Sequence, residues 1–382
     1  MTIGPGTDPH PLGVAVVGYS FMGKAHSDAW RNVNSFFPTP RVTQKVLVGR
    51  DAAQVSSAAR HYGWSESATD WRQVLERDDI HIVDVCTPGH LHAEITIAAL
   101  EAGKHVLVEK PLANTVEEAK HMAAAAQKAR ERGVHSMVAF NYRRIPALAL
   151  ARKMIQEGRL GEVRQIRASY LQDWLADADA PMTWRLRREA AGSGALGDLA
   201  SHAADQIQFL SGSAVTSVSG TVNTFVKTRT GPHGPEEVTV DDAAWATLRL
   251  ASGAVASLEV SRFATGRKNA LEIEVFGSVG SVAFNLERLN ELRFFDAGAH
   301  GESQGFSTIL VTDPTHPYLD AWWPAGHMLG WDSTFTNQAA DFLSAIGSGN
   351  APSPSFEDGL SVQKVLAAIE SSAAQASAAV VL

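Results

Sequence analysis

The sequence predicts an α/β dinucleotide-binding domain with a doubly wound, Rossmann-type parallel sheet. It is followed by an α+β domain with an open-faced, mostly antiparallel sheet. Three observations carry that prediction. Over residues 12–140, short apolar runs alternate with helical segments closed by glycine, the pattern of a parallel sheet covered by helices on both faces. Beyond Tyr142 the rhythm changes to apolar and polar residues in strict alternation, as at Ala256, Leu258 and Val260 and at Leu271, Ile273 and Val275, the period of a half-exposed strand. The 382 residues exceed one ordinary core and fit two domains of about 100–200 residues each. The expected division is a flexible lead-in over 1–11, the dinucleotide-binding domain over 12–145, and a substrate and oligomerisation domain over 146–382. Its C-terminal helices are expected to pack back toward the first domain.

In chain order, Leu12–Val17 reads as the first strand and Gly23–Asn34 as its helix. Lys45–Val48 is the second strand, and Asp51–Tyr62 a helix stopped by Gly63. Strands Ile82–Cys86, His105–Val108 and Val134–Phe140 alternate with helices His92–Ala102 and Val116–Arg132. Pro146 opens a helix to Glu157, strands dominate from Val163, and helices Asp332–Ile346 and Phe356–Ala374 close the chain.

Composition excludes several classes. The net charge is −8 with no basic run, which argues against a nucleic acid or an anionic membrane as partner. No apolar run reaches the roughly 18 residues of a membrane span, and the N-terminus lacks the basic and apolar regions of a signal peptide. Cys86 is the single cysteine, so no internal disulfide forms; it reads as a small core residue. A cytoplasmic protein is expected.

The first strand runs into Gly18-Tyr19-Ser20-Phe21-Met22-Gly23. A pyrophosphate seated at a helix N-terminus requires small residues in this turn. The Gly-x-Gly-x-x-Gly pattern is incomplete, because Ser20 replaces the middle glycine, although a serine hydroxyl can donate to phosphate. The second strand ends at Val48-Gly49-Arg50-Asp51. Gly49 stands where a carboxylate would grip the ribose 2′-hydroxyl of NAD, and Arg50 beside it suits a 2′-phosphate. The expected cofactor is therefore NAD(P), NADP in preference. The alternative is a solvated Arg50 with Asp51 taking the NAD ribose.

Further along, Cys86-Thr87-Pro88-Gly89-His90-Leu91-His92 is followed by Val108-Glu109-Lys110-Pro111, then by Gly197-Asp198-Leu199-Ala200-Ser201-His202. This combination resembles the Gfo/Idh/MocA oxidoreductases, which include inositol and sugar dehydrogenases. The resemblance spans nearly the whole chain after residue 12 and is nearest to the anhydrosugar-oxidising members. Two departures stand out: Gly89 where the family usually carries Asn after Thr-Pro, and Gly49 where the anhydrosugar-oxidising relative carries an acid. The resemblance implies hydride transfer between a secondary sugar hydroxyl and nicotinamide, oxidation at C3 of an anhydrosugar or glycoside, with inositol next. It also implies a cis Lys110–Pro111 bond and His92 beside the cofactor.

Oxidising a secondary alcohol requires a group that takes the hydroxyl proton. Lys110, at a strand end before a proline, is the candidate. Asp198 and His202 are four residues apart on an expected helix and share one face; the resemblance gives them substrate hydroxyls. The expected cofactor set is Gly18, Ser20, Phe21, Met22, Arg50, Thr87, Pro88, His92, Glu109, Lys110, Asn141, Trp184 and Arg185. Tyr142, Gln172, Trp174, Trp184 and Arg185 join Lys110, Asp198 and His202 around the sugar, where indoles stack on apolar ring faces. Glycines 192, 194 and 197 would let backbone approach a ligand. His90 and His92 are two apart with no completing cluster, so no metal is expected. A small sugar or polyol is the expected partner, with a homodimer or homotetramer formed through an apolar open sheet face. An NAD-dependent glycoside hydrolase and a non-catalytic dinucleotide sensor are the alternatives.

Overall fold

The structure, a computed structural model, describes residues 11–382. The expected flexible lead-in, apart from residue 11, lies outside the described residues. The chain forms two compact units: one of residues up to Arg144 together with Gly330–Leu360, the other of Ile145–Leu329 and Ser361–Leu382.

In the first unit, β1 (Leu12–Val17), α1 (Phe21–Phe36), β2 (Val42–Val48), α2 (Ala52–Tyr62), β3 (Glu66–Ala68), α3 (Arg72–Leu75), β4 (Ile82–Val85), α4 (His92–Glu101), β5 (His105–Val108), α5 (Val116–Arg130) and β6 (Ser136–Val138) follow one another. The six strands form one parallel sheet in the order β3-β2-β1-β4-β5-β6. Strand order reverses between β1 and β4, and ligands of such sheets bind outside the carboxyl ends at that point. Central strands are buried on both faces, which is why they read as unbroken apolar runs. Val14, Val16, Ile82 and Leu107 form a core with Trp30 and Val33 of α1. The edge strand β3 was not expected, since Ser-Glu-Ser-Ala carries no apolar run. The other edge strand, β6, is shorter than the expected Val134–Phe140, although Ala139 N–H still reaches Val108 O of β5 at 2.7 Å.

The second unit contains α6 (Pro146–Gln156), β7 (Val163–Leu171), α7 (Arg188–Ala191), α8 (Ser201–Ser211), β8 (Val215–Asn223), a β9/β10 hairpin (Thr228–Gly231, Gly234–Glu237), β11 (Ala243–Leu250), β12 (Val255–Ser261), β13 (Ala270–Gly277), β14 (Gly280–Asn285), β15 (Glu291–Asp296) and β16 (Ser307–Leu310). Helices α9 (Ser333–Ser348) and α10 (Phe356–Ala374) and the short β17 (Val380–Val381) close the chain. Nine strands form a sheet in the order β16-β15-β14-β13-β7-β12-β11-β8-β17. Every neighbouring pair is antiparallel except β12 with β7. Helices α6 and α8 pack on one face of this sheet. The other face carries Arg167, Trp245, Thr247, Arg249, Ser257 and Glu259 in exposed positions, so the expected apolar face is instead largely polar.

Helix α9 packs on α1 and places Phe335, Phe342 and Leu343 in the same core as Val14 and Trp30. The chain passes from the first unit to the second after Arg144, returns to the first over Gly330–Leu360 and leaves it again within α10. No described helix is long and apolar enough to cross a membrane.

Candidate active site

The first unit offers a phosphate-sized cradle at the β1–α1 turn. Gly18 has φ +113°, and a Cβ there would lie 2.5 Å from Cys86 O. A Cβ on Gly23 would lie 2.0 Å from Gly18 O, so α1 can sit this close to the turn only without a side chain. Ser20 precedes α1 but its hydroxyl makes no cap hydrogen bond, and the first turn holds no acid. Its N–H groups and positive dipole end suit an anion. By contrast, α2 is capped by Asp51 and α5 by a reciprocal Thr115/Glu118 box. Thr87 Oγ1, enclosed after β4, has no hydrogen-bond partner within the protein. Residues of this turn therefore fit a dinucleotide. Phe21 is exposed, whereas Met22 packs half-buried against the core, so Met22 lines the turn through its backbone rather than its side chain.

At the end of β2, both oxygens of Asp51 are engaged by Gln54, through its N–H at 2.9 Å and Nε2 at 3.2 Å. The alternative in which Asp51 swings in for the ribose loses these bonds. Arg50 is exposed. Position 49 is covered by the ring of Tyr19, a residue that motif reading passed over.

Lys110 is half-buried at the carboxyl end of β5, and its bond to Pro111 is cis, as the resemblance implied. His92 is buried, with Nε2 2.9 Å from Thr87 O and Nδ1 3.1 Å from Pro111 O and 3.3 Å from Leu112 O. Burial lowers its pKa. Instead of presenting its ring to a cofactor, His92 ties the Thr87-Pro88 loop to the loop carrying Lys110. The departure at Gly89 has a local explanation: a Cβ there would lie 2.3 Å from Asn114 Oδ1, so the Asn114 amide occupies the space an asparagine side chain would need.

Beneath Lys110 lies a buried charge chain. His26 Nδ1 is 2.8 Å from Asp84 Oδ2 and Nε2 is 2.9 Å from Glu109 Oε1, while Trp30 Nε1 donates to Asp84 Oδ2 at 2.7 Å. Burial alone would lower the His26 pKa, but the Asp84 carboxylate, assisted by Cys86, holds it well above the usual value. Glu109 thus spends an oxygen on His26, where a cofactor contact was expected. Desolvation, with the Asp84 charge added, pushes the Cys86 thiol up. His26, Asp84 and Cys86 place their ligand-type atoms within 4.8 Å of one another. Both His26 nitrogens already meet carboxylates, which marks a hydrogen-bonded relay. His90 and His92 take no part. Asn141 donates to Thr334 Oγ1 at 2.8 Å, and Trp331 Nε1 donates to Tyr142 Oη at 3.3 Å; Trp331 in turn stacks on Phe21 at 5.6 Å.

In the second unit, Asp198 lies in a π-helical turn, Leu196–Ala200, that leads into α8, where His202 sits. The expected α-helical face is therefore a wider turn, a form frequent at functional sites. Asp241 shapes it: its carboxylate accepts Gly194 N–H and Leu196 N–H, each at 2.7 Å, and its carbonyl accepts Arg262 Nη2, also at 2.7 Å. Burial raises the Asp241 pKa against those hydrogen bonds. A Cβ on Gly194 would lie 1.7 Å from Asp241 O; the close approach expected for a ligand is made by the protein itself. Burial lowers the Arg262 pKa, opposed by Asp198, Asp241 and Asp242 and reinforced by Arg185. Its guanidinium lies 5.5 Å from the Trp174 ring.

A polar chain runs beside this turn. Trp174 Nε1 donates to Gln172 Oε1 at 2.9 Å, Gln172 Nε2 and Tyr170 Oη each donate to Asn269 Oδ1 at 2.7 Å, and the Tyr170 ring meets His202 edge-on at 5.8 Å. Gln172, Trp174 and His202 are thus brought together. Trp184 and Arg185 pair with each other at 4.5 Å, both exposed. Asp205, on the next turn of α8, is fully buried. Motif reading missed Asp241, Asp242, Arg262, Tyr170 and Asn269; only the Asp241-Asp242 pair at a strand start is visible in the sequence as an anomaly.

Two family descriptions match the chain: an oxidoreductase family with an NAD-binding Rossmann fold over residues 12–138, and the GFO/IDH/MocA C-terminal domain over 148–283. Levoglucosan dehydrogenase of Pseudarthrobacter phenanthrenivorans is 43% identical over 385 residues, covering 96% of this chain and 97% of that protein. The chain belongs to the GFO/IDH/MocA oxidoreductase family. An oxidoreductase domain protein from Kribbella flavida superposes with a TM-score of 0.95 at 54% identity, covering 97% of this chain and 99% of that one. Levoglucosan dehydrogenase in complex with NADH and levoglucosan superposes at 0.93 with 43% identity and the same coverage. This GFO/IDH/MocA member is an oxidoreductase with an NAD-binding Rossmann fold, of the sugar and inositol dehydrogenase group. These relatives give no support to the hydrolase or sensor alternatives.

Proposed function

We propose that this protein oxidises a secondary ring hydroxyl of an anhydrosugar or glycoside, with C3 of levoglucosan the leading candidate. Lys110 serves as general base for the hydroxyl proton, and as general acid in reverse. The observation that carries the substrate class is the Trp174–Gln172–Asn269–Tyr170 chain ending at His202. An exposed indole edged by fixed polar groups suits a pyranose, whose apolar face stacks while its hydroxyls need set partners. Asp198 and His202 are assigned to substrate hydroxyls, with Trp184 and Arg185 beside them. The likeness to a levoglucosan dehydrogenase supports the same class.

Residues of the β1–α1 turn, with Thr87 and the Lys110 loop, would hold the dinucleotide; when bound, it supplies the hydride acceptor. His92 keeps the Thr87 and Pro111 loops at fixed separation, so Lys110 is held for proton transfer. The ribose end offers no uncommitted carboxylate at Gly49 or Asp51, and Arg50 is exposed, so NADP is taken in preference to NAD.

Lys110→Ala tests it with levoglucosan and each cofactor. The expected kcat falls about 10²–10⁴-fold, while NADH affinity by fluorescence titration stays within about threefold. Near-full kcat in the variant sinks the acid–base assignment, and an NAD preference unaffected by Arg50→Ala sinks the cofactor preference.

A further inference from the structure

The end of β2 is where a carboxylate discriminates a ribose 2′-hydroxyl from a 2′-phosphate, and in this chain that place is filled. A Cβ built on Gly49 would lie 2.1 Å from Tyr19 Cδ1, 2.2 Å from Tyr19 Cε1 and 3.3 Å from Val55 Cβ. No side chain enters there unless the ring leaves. Tyr19 is itself held: its hydroxyl donates to Gln54 Oε1 at 3.4 Å, and its carbonyl accepts from Tyr62 Oη at 3.5 Å. The same Gln54 binds both oxygens of Asp51. One glutamine thus links the ring that blocks position 49 to the neighbouring Asp51 carboxylate, and keeps both in place.

We infer that Tyr19 is the specificity-determining residue at the ribose end of the nucleotide site: its ring takes the seat of the discriminating carboxylate. A neutral ring neither repels a phosphate nor binds a diol through charge, which leaves exposed Arg50 as the charged neighbour on offer. This inference rests on the proposed tolerance of a 2′-phosphate, but the exclusion of a side chain at 49 by the ring is tested separately.

Binding of 5′-ADP and 2′,5′-ADP is measured by calorimetry, with no turnover, in wild type, Tyr19→Ala, Gly49→Asp and Tyr19→Ala/Gly49→Asp. Gly49→Asp with the ring present is expected to weaken both nucleotides alike. In the Tyr19→Ala background, the same aspartate is expected to weaken 2′,5′-ADP at least about tenfold relative to 5′-ADP, the effect of one charged contact. Gly49→Ala covers the case in which Gly49→Asp does not fold: it should lower Tm only while Tyr19 is in place. Equal effects of position 49 with and without the ring, on Tm and on discrimination, overturn the inference. Wild type that binds 5′-ADP but not 2′,5′-ADP overturns the phosphate reading instead; the coupling of 19 to 49 is then still read from 5′-ADP and Tm.

Discussion

The two units hold their candidate site residues by different means. The first unit works through backbone: a glycine turn, an uncapped helix end and strand termini, with side chains such as His92 and Asn114 filling space or tying loops. The second works through side chains that meet across the fold, Asp241 and Arg262 under the Asp198 turn and Asn269 between Tyr170 and Gln172. The first unit's turn is closed by main-chain atoms, Gly18 O and Cys86 O. The second unit's side chains depend on partners 21 to 99 residues away. The first should fail by steric intrusion, the second by loss of a partner.

The largest effect is expected in the second unit. Asp241→Ala orphans two buried N–H groups and removes one of the carboxylate charges that offset the buried Arg262, at a cost of about 3–5 kcal/mol. Asp241→Asn, which keeps one acceptor, should cost roughly half as much; urea denaturation of both variants checks the ratio, and equal losses would break the contrast. In the first unit, Gly23→Ala pushes a methyl into Gly18 O. It should cost about 1–3 kcal/mol and weaken NADH about tenfold or more in fluorescence titration, leaving Asp241-dependent stability untouched. The smallest effect, on the order of 0.5–1.5 kcal/mol, belongs to His26→Gln and depends on pH. Since the folded-state pKa of His26 is raised above its unfolded value of about 6.5, its stabilisation is full below that value and fades as pH rises through the folded pKa. The wild-type minus variant stability should therefore be greatest in mild acid and shrink toward alkaline pH; a gap that widens with pH contradicts the charged relay.

The same division explains what could be read from the chain alone. Alternation of apolar runs and glycine-stopped helices located β1, β4, β5 and α10 to within a residue, because each is defined by its own local pattern. Lys110 stood out through Glu-Lys-Pro, and the parallel sheet followed from the class; its strand order did not. Tyr19 was hidden because its role depends on the absence of a side chain at Gly49. Asp84 was hidden inside an apolar strand, where a lone acid reads as noise until His26 and Trp30 come to it from α1. Arg262 and Asn269 lie just outside β12 and β13 with no local mark at all. The π-helical turn at Asp198 escaped for another reason: it differs from an α-helix by one extra residue, which periodicity does not resolve.

Helix α9 carries a consequence for the order in which the protein is made. Phe335, Phe342 and Leu343 share a core with Val14, Trp30 and Val33, and residues 145–329 lie between the two sets. A nascent chain that has emerged as far as β6 has every strand of the parallel sheet but not the helix that covers α1. Its first unit must wait, with that apolar surface bare, until the whole central part of the second has been synthesised. Domains are usually completed in the order they leave the ribosome. Here the earlier one is finished late, and the interval before α9 arrives is the stage at which a chaperone would find the most to hold.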